Sequence, residues 1–480
     1  MARVSSLDSL LPSPARRVFC NRTLNMRSIR AVGCDMDYTL VHYDAAVWEQ
    51  RAYEHVRERL AARGLPVAGL RFDAELFTRG LVLDIELGNV VKANRFGYVT
   101  RAAHGTALLA HDVQRDAYSQ VWVDLSEPRW VFLNTLFSLS EVCIYAQLVE
   151  LADRGVLPPA LGYAGIYRLV RDTMNAAHLE GELKNEVIAD PERFVQLDPE
   201  LPRALLDLKQ AGKLLLLVTN SEWAYTRAMM SYAFDRFLPE GLGWRGLFDV
   251  VIAQAGKPEF FDGRAALYEV VDEQGLLRPC IGKLHVGGAY VGGHARLVEE
   301  HLQLSGDEIL YVGDHVYADV HVSSQIRRWR TALVLRELEQ EVEGQAALDA
   351  ELTQLEQLMA QKQRGEQEQA WLRLGLQRLQ HGEELPHGVL SDATAIHERL
   401  RGLRSEQEEL DQRIAPLARS AGELGNARWG PLMRAGNDKS RLARQIERYA
   451  DVYTSRVSNL LYLTPYGYLR APRGSLPHDG

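Results

Sequence analysis

Ala31-Val32-Gly33-Cys34-Asp35-Met36-Asp37-Tyr38-Thr39-Leu40 runs from an apolar stretch directly into two carboxylates one residue apart. This reads as a buried strand meeting its loop, and in an open α/β sheet the carboxyl edge of such a strand is where ligands bind. Of two neighbouring carboxylates, one can attack an electrophile while the other handles the leaving group's proton, a division suited to phosphoryl transfer. Alone, Asp-x-Asp is an ordinary loop or capping pair. Three further apolar runs give it context. Leu214–Val218 ends in Thr219-Asn220-Ser221, Asp249–Ala253 is followed by Lys257, and Ile309–Val312 ends in Gly313-Asp314 with Asp319 five residues on.

The chain has 480 residues, 46% hydrophobic and 25% charged, an ordinary globular composition. Its length suggests about three domains. A net charge of −9 gives no basis for a nucleic-acid partner. Cys20, Cys34, Cys143 and Cys280 are far apart and form no Cys-x-x-Cys pair, which speaks against a disulfide framework or structural zinc and for a reducing compartment. The first residues, with Pro12 and Pro14, hold no signal-peptide core, and no apolar stretch approaches the ~18 residues of a membrane span. The expected setting is cytoplasmic, with no membrane partner.

Helical patterns between the runs argue for parallel strands joined by crossovers. About 175 residues separate Asp37 from the second run, far beyond the dozen or so a crossover requires. The chain is therefore divided into a core of residues 1–43 and 201–336 and an insertion of residues 44–200. The insertion carries a strand-like Gly80–Val91 and helical Leu133–Asp153 and Ile166–Ala177. Placed just after a catalytic loop, it could cover the site and exclude water. Residues 337–425 read as a long antiparallel helical hairpin. Leu348, Leu352, Leu355 and Met359 form one apolar seam; Ile396, Leu400, Leu403, Leu410, Ile414 and Leu417 form another, with Gln407 at a skipped position. Pro416 is expected to end or kink the second helix, and His381–Gly388 to supply the turn. Such an arm packs on itself or on a sister subunit of a homo-oligomer. Residues 426–480 are expected to return to the core, with Arg444–Leu463 as a helix bearing Tyr449, Tyr453, Leu460, Leu461 and Tyr462. The glycine-rich His285–His294 lacks a Gly-Lys-Ser/Thr ending and reads as a hairpin or flap beside the site rather than a phosphate loop.

Asp35-Met-Asp37-Tyr-Thr-Leu40, Thr219-Asn220, Lys257 and Gly313-Asp314 with Asp319 together resemble the four motifs of the haloacid-dehalogenase superfamily of phosphatases. Several further stretches narrow the resemblance to the cytosolic purine 5′-nucleotidase (type II) family. They are Val18–Met26, Thr78-Arg-Gly-Leu-Val-Leu-Asp84, Gly256-Lys-Pro-Glu-Phe-Phe261, Leu310-Tyr-Val-Gly-Asp-His315, Trp329–Thr331, Arg448–Asp451 and Asn459–Tyr462. The resemblance covers nearly the whole chain except the hairpin. It implies a Rossmann-like α/β core with a parallel sheet and an inserted α+β cap domain. It also implies Mg²⁺ held by Asp35, the backbone carbonyl of Asp37 and Asp314, and attack by Asp35 to form an aspartyl-phosphate. Asp37 would serve as acid and then base, Thr219 and Asn220 would bind phosphoryl oxygens or the nucleophile, and Lys257 would offset transition-state charge. Asp319 would bind the metal through water or fix Lys257. On the substrate side it implies Phe137 stacking on a purine, with Arg171, Asn175, His178, Lys184 and Ser221 as further contacts. Asn175 departs from the family, which has an Asp there. The activity implied is hydrolysis of purine nucleoside 5′-monophosphates, 6-oxopurines favoured, with nucleoside phosphotransferase activity from the same intermediate. Two alternatives stand beside it: a phosphatase for another phosphorylated metabolite, and a non-catalytic scaffold that uses the hairpin.

Overall fold

The computed structural model describes residues 11–281, 283–385, 387–388 and 392–474, with only the backbone described for 178–180. Two compact units divide the chain, one of residues 1–340 with 432–480 and one of residues 341–431.

In the larger unit the chain lays down β1 (Phe19–Cys20) and β2 (Ala31–Cys34), then leaves for an insertion. The insertion holds α1 (Ala45–Ala62), strands β3 (Val82–Asp84), β4 (Asn89–Ala93), β5 (Val99–His104), β6 (Ala107–Leu108) and β7 (Trp130–Phe132), and helices α2 (Leu139–Asp153), α3 (Gly162–Glu180) and α4 (Glu182–Ala189). Helix α5 (Leu201–Gln210) and strand β8 (Leu214–Val218) lead back. They are followed by α6 (Trp223–Phe234), β9 (Val250–Ala253), β10 (Leu267–Val270), β11 (Leu277–Pro279), β12 (Gly288–Gly292), β13 (Ile309–Gly313) and β14 (Arg330–Val334). The smaller unit contributes α7 (Asp349–His381) and α8 (Ala393–Gly422), after which α9 (Arg441–Tyr449) and β15 (Val452–Thr454) complete the larger one.

The central sheet has ten strands in the order β1-β15-β14-β13-β2-β8-β9-β12-β10-β11. The seven strands from β15 to β12 are parallel, while β1 and the β10–β11 pair are antiparallel edges. The aliphatic runs are near-continuous because both faces are covered. Alternate residues supply two cores: Leu215, Leu217, Val251, Leu310 and Val312 face one, and Leu216, Val218, Val250, Ile252, Ile309 and Tyr311 the other. From β2 the sheet grows through β8 and β9 on one side and β13 and β14 on the other, so its switch point lies at the carboxyl end of β2.

The insertion's five strands form an antiparallel sheet, order β6-β5-β4-β3-β7, over a small core of Val82, Val91, Ala102, Tyr118 and Trp130. Its two ends are zipped together where His42–Tyr43 pairs antiparallel with Val195–Gln196. In the smaller unit, Leu358 packs with Leu410 and Ile414, and Leu372 with Ile396 and Leu403. Positions rise along α7 as they fall along α8, so the helices run antiparallel. Gln407 hydrogen-bonds Gln369 across the seam (3.0 Å).

Several elements differ from the sequence expectation. Gly80–Val91 is two strands, because Gly88 at φ +70° turns the chain. Arg444–Leu463 is not one helix. After α9 it becomes β15, a strand of the central sheet, and the chain is helical again at a 3-10 turn, Val457–Asn459, that runs into the short α-helix Leu460–Leu463. Gly288–Gly292 is no flap but a sheet strand, anchored by buried Ala289 and Tyr290 between β9 and β10. The seam of α7 uses Leu355 and Leu358 and leaves Met359 exposed, and α8 continues six residues past Pro416 to Gly422. No described helix is long and apolar enough to cross a membrane.

Candidate active site

Three loops leave adjacent strands at the switch point, and each opens on a candidate residue: Asp35 after β2, Thr219 after β8 and Asp314 after β13. The first folds tightly, with the amides of Thr39, Leu40 and Val41 all donating to the Met36 carbonyl, and Tyr38 is left-handed at φ +53°. Carboxylate oxygens of Asp35, Asp314 and Asp319 lie within 4.8 Å of one another, and all three residues are buried. Asp319 projects from a π-helical turn, Val316–His321, so close to Gly313 that a Cβ there would meet its carboxylate at 2.5 Å. Only glycine fits that position.

Lys257 enters from the loop after β9 and is buried. Its Nζ lies 2.7 Å from Asp35 Oδ1 and 2.8 Å from Asp319 Oδ1, and donates to Tyr311 Oη at 3.1 Å. The Asn220 amide brackets its backbone, accepting from Lys257 N (2.7 Å) and donating to Lys257 O (3.0 Å). Asn220 thus fixes the lysine's backbone at both its amide and its carbonyl. Tyr311 crosses the face of Gly33, where a Cβ would sit 2.9 Å from its ring, and donates to the Val218 carbonyl (3.0 Å). Burial works against the Lys257 ammonium, but Asp319 and Asp35 outweigh it and hold its pKa well above that of an ordinary lysine. Burial, reinforced by Asp319, Asp314 and Asp37 against the opposing pull of Lys257, pushes Asp35 well above the usual carboxylate range. Asp314 is pushed up to about 7, by burial first, with Arg79 opposing and Asp319 adding to it. One lysine does not neutralise these carboxylates. A cluster of hard oxygen donors with excess negative charge fits a divalent cation of the magnesium type.

Asp37 is held at both oxygens: Tyr43 donates to Oδ1 at 2.5 Å and Ser221 to Oδ2 at 2.6 Å. Lys184 reaches the same loop from α4, 3.3 Å from Ser221 Oγ and 2.7 Å from Glu222. Thr219 is fully buried and accepts from the Ser221 amide at 3.0 Å.

The 5′ nucleotidase family profile matches residues 18–480. The chain belongs to this family. It is a phosphoric monoester hydrolase, and the family acts on nucleotide monophosphates. A 5′-nucleotidase domain-containing protein of Dictyostelium discoideum is 27% identical over 484 residues, spanning 96% of this chain and 74% of that protein. Among solved structures, an archaeal β-phosphoglucomutase from Pyrococcus sp. strain ST 04 matches at a TM-score of 0.30 and 11% identity over 64% of this chain and 86% of that one, too slight to carry an argument.

Around the hydrolase's carboxylates the remaining candidates divide. Phe137 packs its ring on Tyr38 (4.6 Å) and Trp48 (5.5 Å), beside the Asp37 loop. Arg171 is exposed on α3 and donates to Tyr167 Oη (2.9 Å); Asn175 is exposed one turn on. Neither hydrogen-bonds to the carboxylate cluster among the described residues. The side chain of His178 lies outside them. Sequence reasoning did not single out Arg79, Tyr43 or Tyr311. Arg79 is buried before β3 and donates to the Asp314 carbonyl and, at 2.8 Å, to that of Asn134, tying the insertion to the core loop. The signals available were an arginine opening an apolar run at Thr78–Asp84 and a lone tyrosine in the aliphatic Ile309–Val312.

Proposed function

We propose that this chain is a magnesium-dependent 5′-nucleotidase acting on purine nucleoside 5′-monophosphates, 6-oxopurines favoured, through an aspartyl-phosphate on Asp35. The observation that carries the reading is the buried Lys257 joined to both Asp35 and Asp319 at the sheet's switch point. Asp35 Oδ1 accepts from Lys257 and its own Met36 amide, while Oδ2 accepts no hydrogen bond among the described residues and is the oxygen that attacks phosphorus. As that bond forms, the bond from phosphorus to the 5′ oxygen breaks, and Asp37 gives the departing oxygen its proton. Asp37 then takes a proton from water, which attacks the phosphoryl group, frees the Asp35 carboxylate and releases phosphate. A nucleoside hydroxyl in place of water gives phosphotransfer. Lys257, fixed by Asp319, Asn220 and Tyr311, offsets charge on the transferring group. Asp35, the Asp37 carbonyl and Asp314 would hold Mg²⁺, whose charge lets a phosphate dianion approach the carboxylates. Base recognition is assigned to Phe137, Arg171, Asn175, His178, Lys184 and Ser221 on the resemblance, with Lys184 and Ser221 already in contact beside Asp37.

The test is phosphate release from a panel of purine and pyrimidine monophosphates and sugar phosphates, with and without Mg²⁺. The reading expects metal-dependent release, fastest from inosine and guanosine 5′-monophosphates. Faster turnover of a non-nucleotide phosphomonoester would replace it.

A further inference from the structure

Resting on the reading of Asp37 as proton donor, we infer that Tyr43 and Tyr225 form a one-way hydroxyl chain that fixes which oxygen of Asp37 carries the proton delivered to the leaving group. Tyr43 Oη lies 2.5 Å from Asp37 Oδ1, and Tyr225 Oη lies 2.9 Å from Tyr43 Oη; both tyrosines are buried. A phenol has a single proton to donate. An ionised Oδ1 only accepts, so the proton of Tyr43 goes to Asp37 and the one between the two phenols comes from Tyr225. The chain cannot run the other way. Reversed, Tyr225 would need an acceptor for its own proton, and among the described residues its hydroxyl has no second hydrogen-bond partner. The charged groups that act on it are the Asp37 and Glu222 carboxylates, neither of which hydrogen-bonds its hydroxyl among the described residues, and the Lys184 ammonium, 5.1 Å from the ring centroid, which cannot accept.

Oδ1 is therefore an acceptor in both protonation states of Asp37, and the transferable proton resides on Oδ2. The partner of Oδ2 is suited to that. Ser221 Oγ, at 2.6 Å, is a rotor that donates to a carboxylate and accepts from a carboxylic acid, so it accommodates Asp37 before and after proton transfer. The donors come from separate segments. Tyr43 sits in the ribbon that joins the insertion's two ends, its ring packed on Trp48 (4.5 Å) and Tyr38 (5.3 Å), and Tyr225 comes from α6. Tyr43 acts through Asp37, and Tyr225 through Tyr43. Both are positioning residues.

The test compares kcat/KM for a nucleoside 5′-monophosphate, whose alkoxide must be protonated as it leaves, with that for p-nitrophenyl phosphate, whose leaving group needs no proton. Tyr43→Phe keeps the ring and its packing. It should lose about 10–100-fold on the nucleotide and less than about three-fold on the aryl ester. Tyr225→Phe should show the same selectivity with a smaller loss, and it decides the matter if Tyr43→Phe fails to fold. Asp37→Asn is the reference. If its loss is the same on both esters, the acid role of Asp37 falls. If it is selective while the tyrosine variants are unselective or unchanged, the hydroxyl chain falls and the acid role stands.

Discussion

Lys257 would be a solvated surface lysine on composition alone. Instead it is buried, and what keeps it charged there is the pair of carboxylates on either side, Asp35 and Asp319. Removing it would leave those buried carboxylates facing one another without a counter-charge. Asn175 poses the opposite case, an exposed side chain whose value lies in what it could meet. An ionised Asp would accept strongly from the N1–H of a 6-oxopurine and repel the bare N1 of adenine. The neutral amide of Asn175 offers the same donors a weaker acceptor and can flip to serve adenine. Asn175→Asp is therefore expected to raise the preference for inosine over adenosine 5′-monophosphate by about ten-fold in kcat/KM. An unchanged ratio would mean that residue 175 does not face the base. Asp35, Asp37, Lys257, Asp314 and Asp319 could be singled out from sequence because each follows an aliphatic run within a few residues. Arg79 and Tyr311 left only faint local signs and Tyr43 none, since what they bond to, apart from the Asp37 beside Tyr43, comes from segments far away in the chain.

Helix α1 carries a stability switch. Glu49 is fully buried on it, and its Oε2 accepts from the Ser140 amide at the start of α2 (2.7 Å). Burial outweighs that bond and pushes the carboxyl up to about 7, from 4.5 when exposed. The folded state therefore holds a proton that the unfolded chain gives up. Stability is undiminished below about pH 4.5 and falls by about 3 kcal/mol as pH rises to 7. Glu49→Gln removes that dependence. In urea unfolding the variant should exceed the parent at pH 8 and approach it near pH 5, whereas a difference independent of pH would refute the assignment. The strands show where sequence patterns stop being informative. β2, β8, β9 and β13 were legible as aliphatic runs. β12 was not, because glycines at both ends mask its two buried residues. β15 is three residues long and its Tyr453 is only partly buried, so it carries no run to read.

The two units carry separate cores. The smaller one, residues 341–431, is organised by its own leucine seam, and every candidate catalytic residue belongs to the larger one. A linker long enough to leave residues 340 and 432 in place should substitute for the smaller unit with turnover at saturating substrate within about two-fold of the full chain. A folded deletion with no turnover would show that residues 341–431 contribute to the site. Turnover as proposed depends on a covalent step at Asp35. Acid quenching during turnover of a nucleoside 5′-monophosphate, followed by mass spectrometry of the peptides, tests it most directly. The expected result is a transient phosphoryl adduct on the Asp35 peptide, absent from Asp35→Asn, which should also lose about 10⁴-fold or more of its turnover. Sustained phosphate release by Asp35→Asn, or an adduct on any other residue, would contradict it.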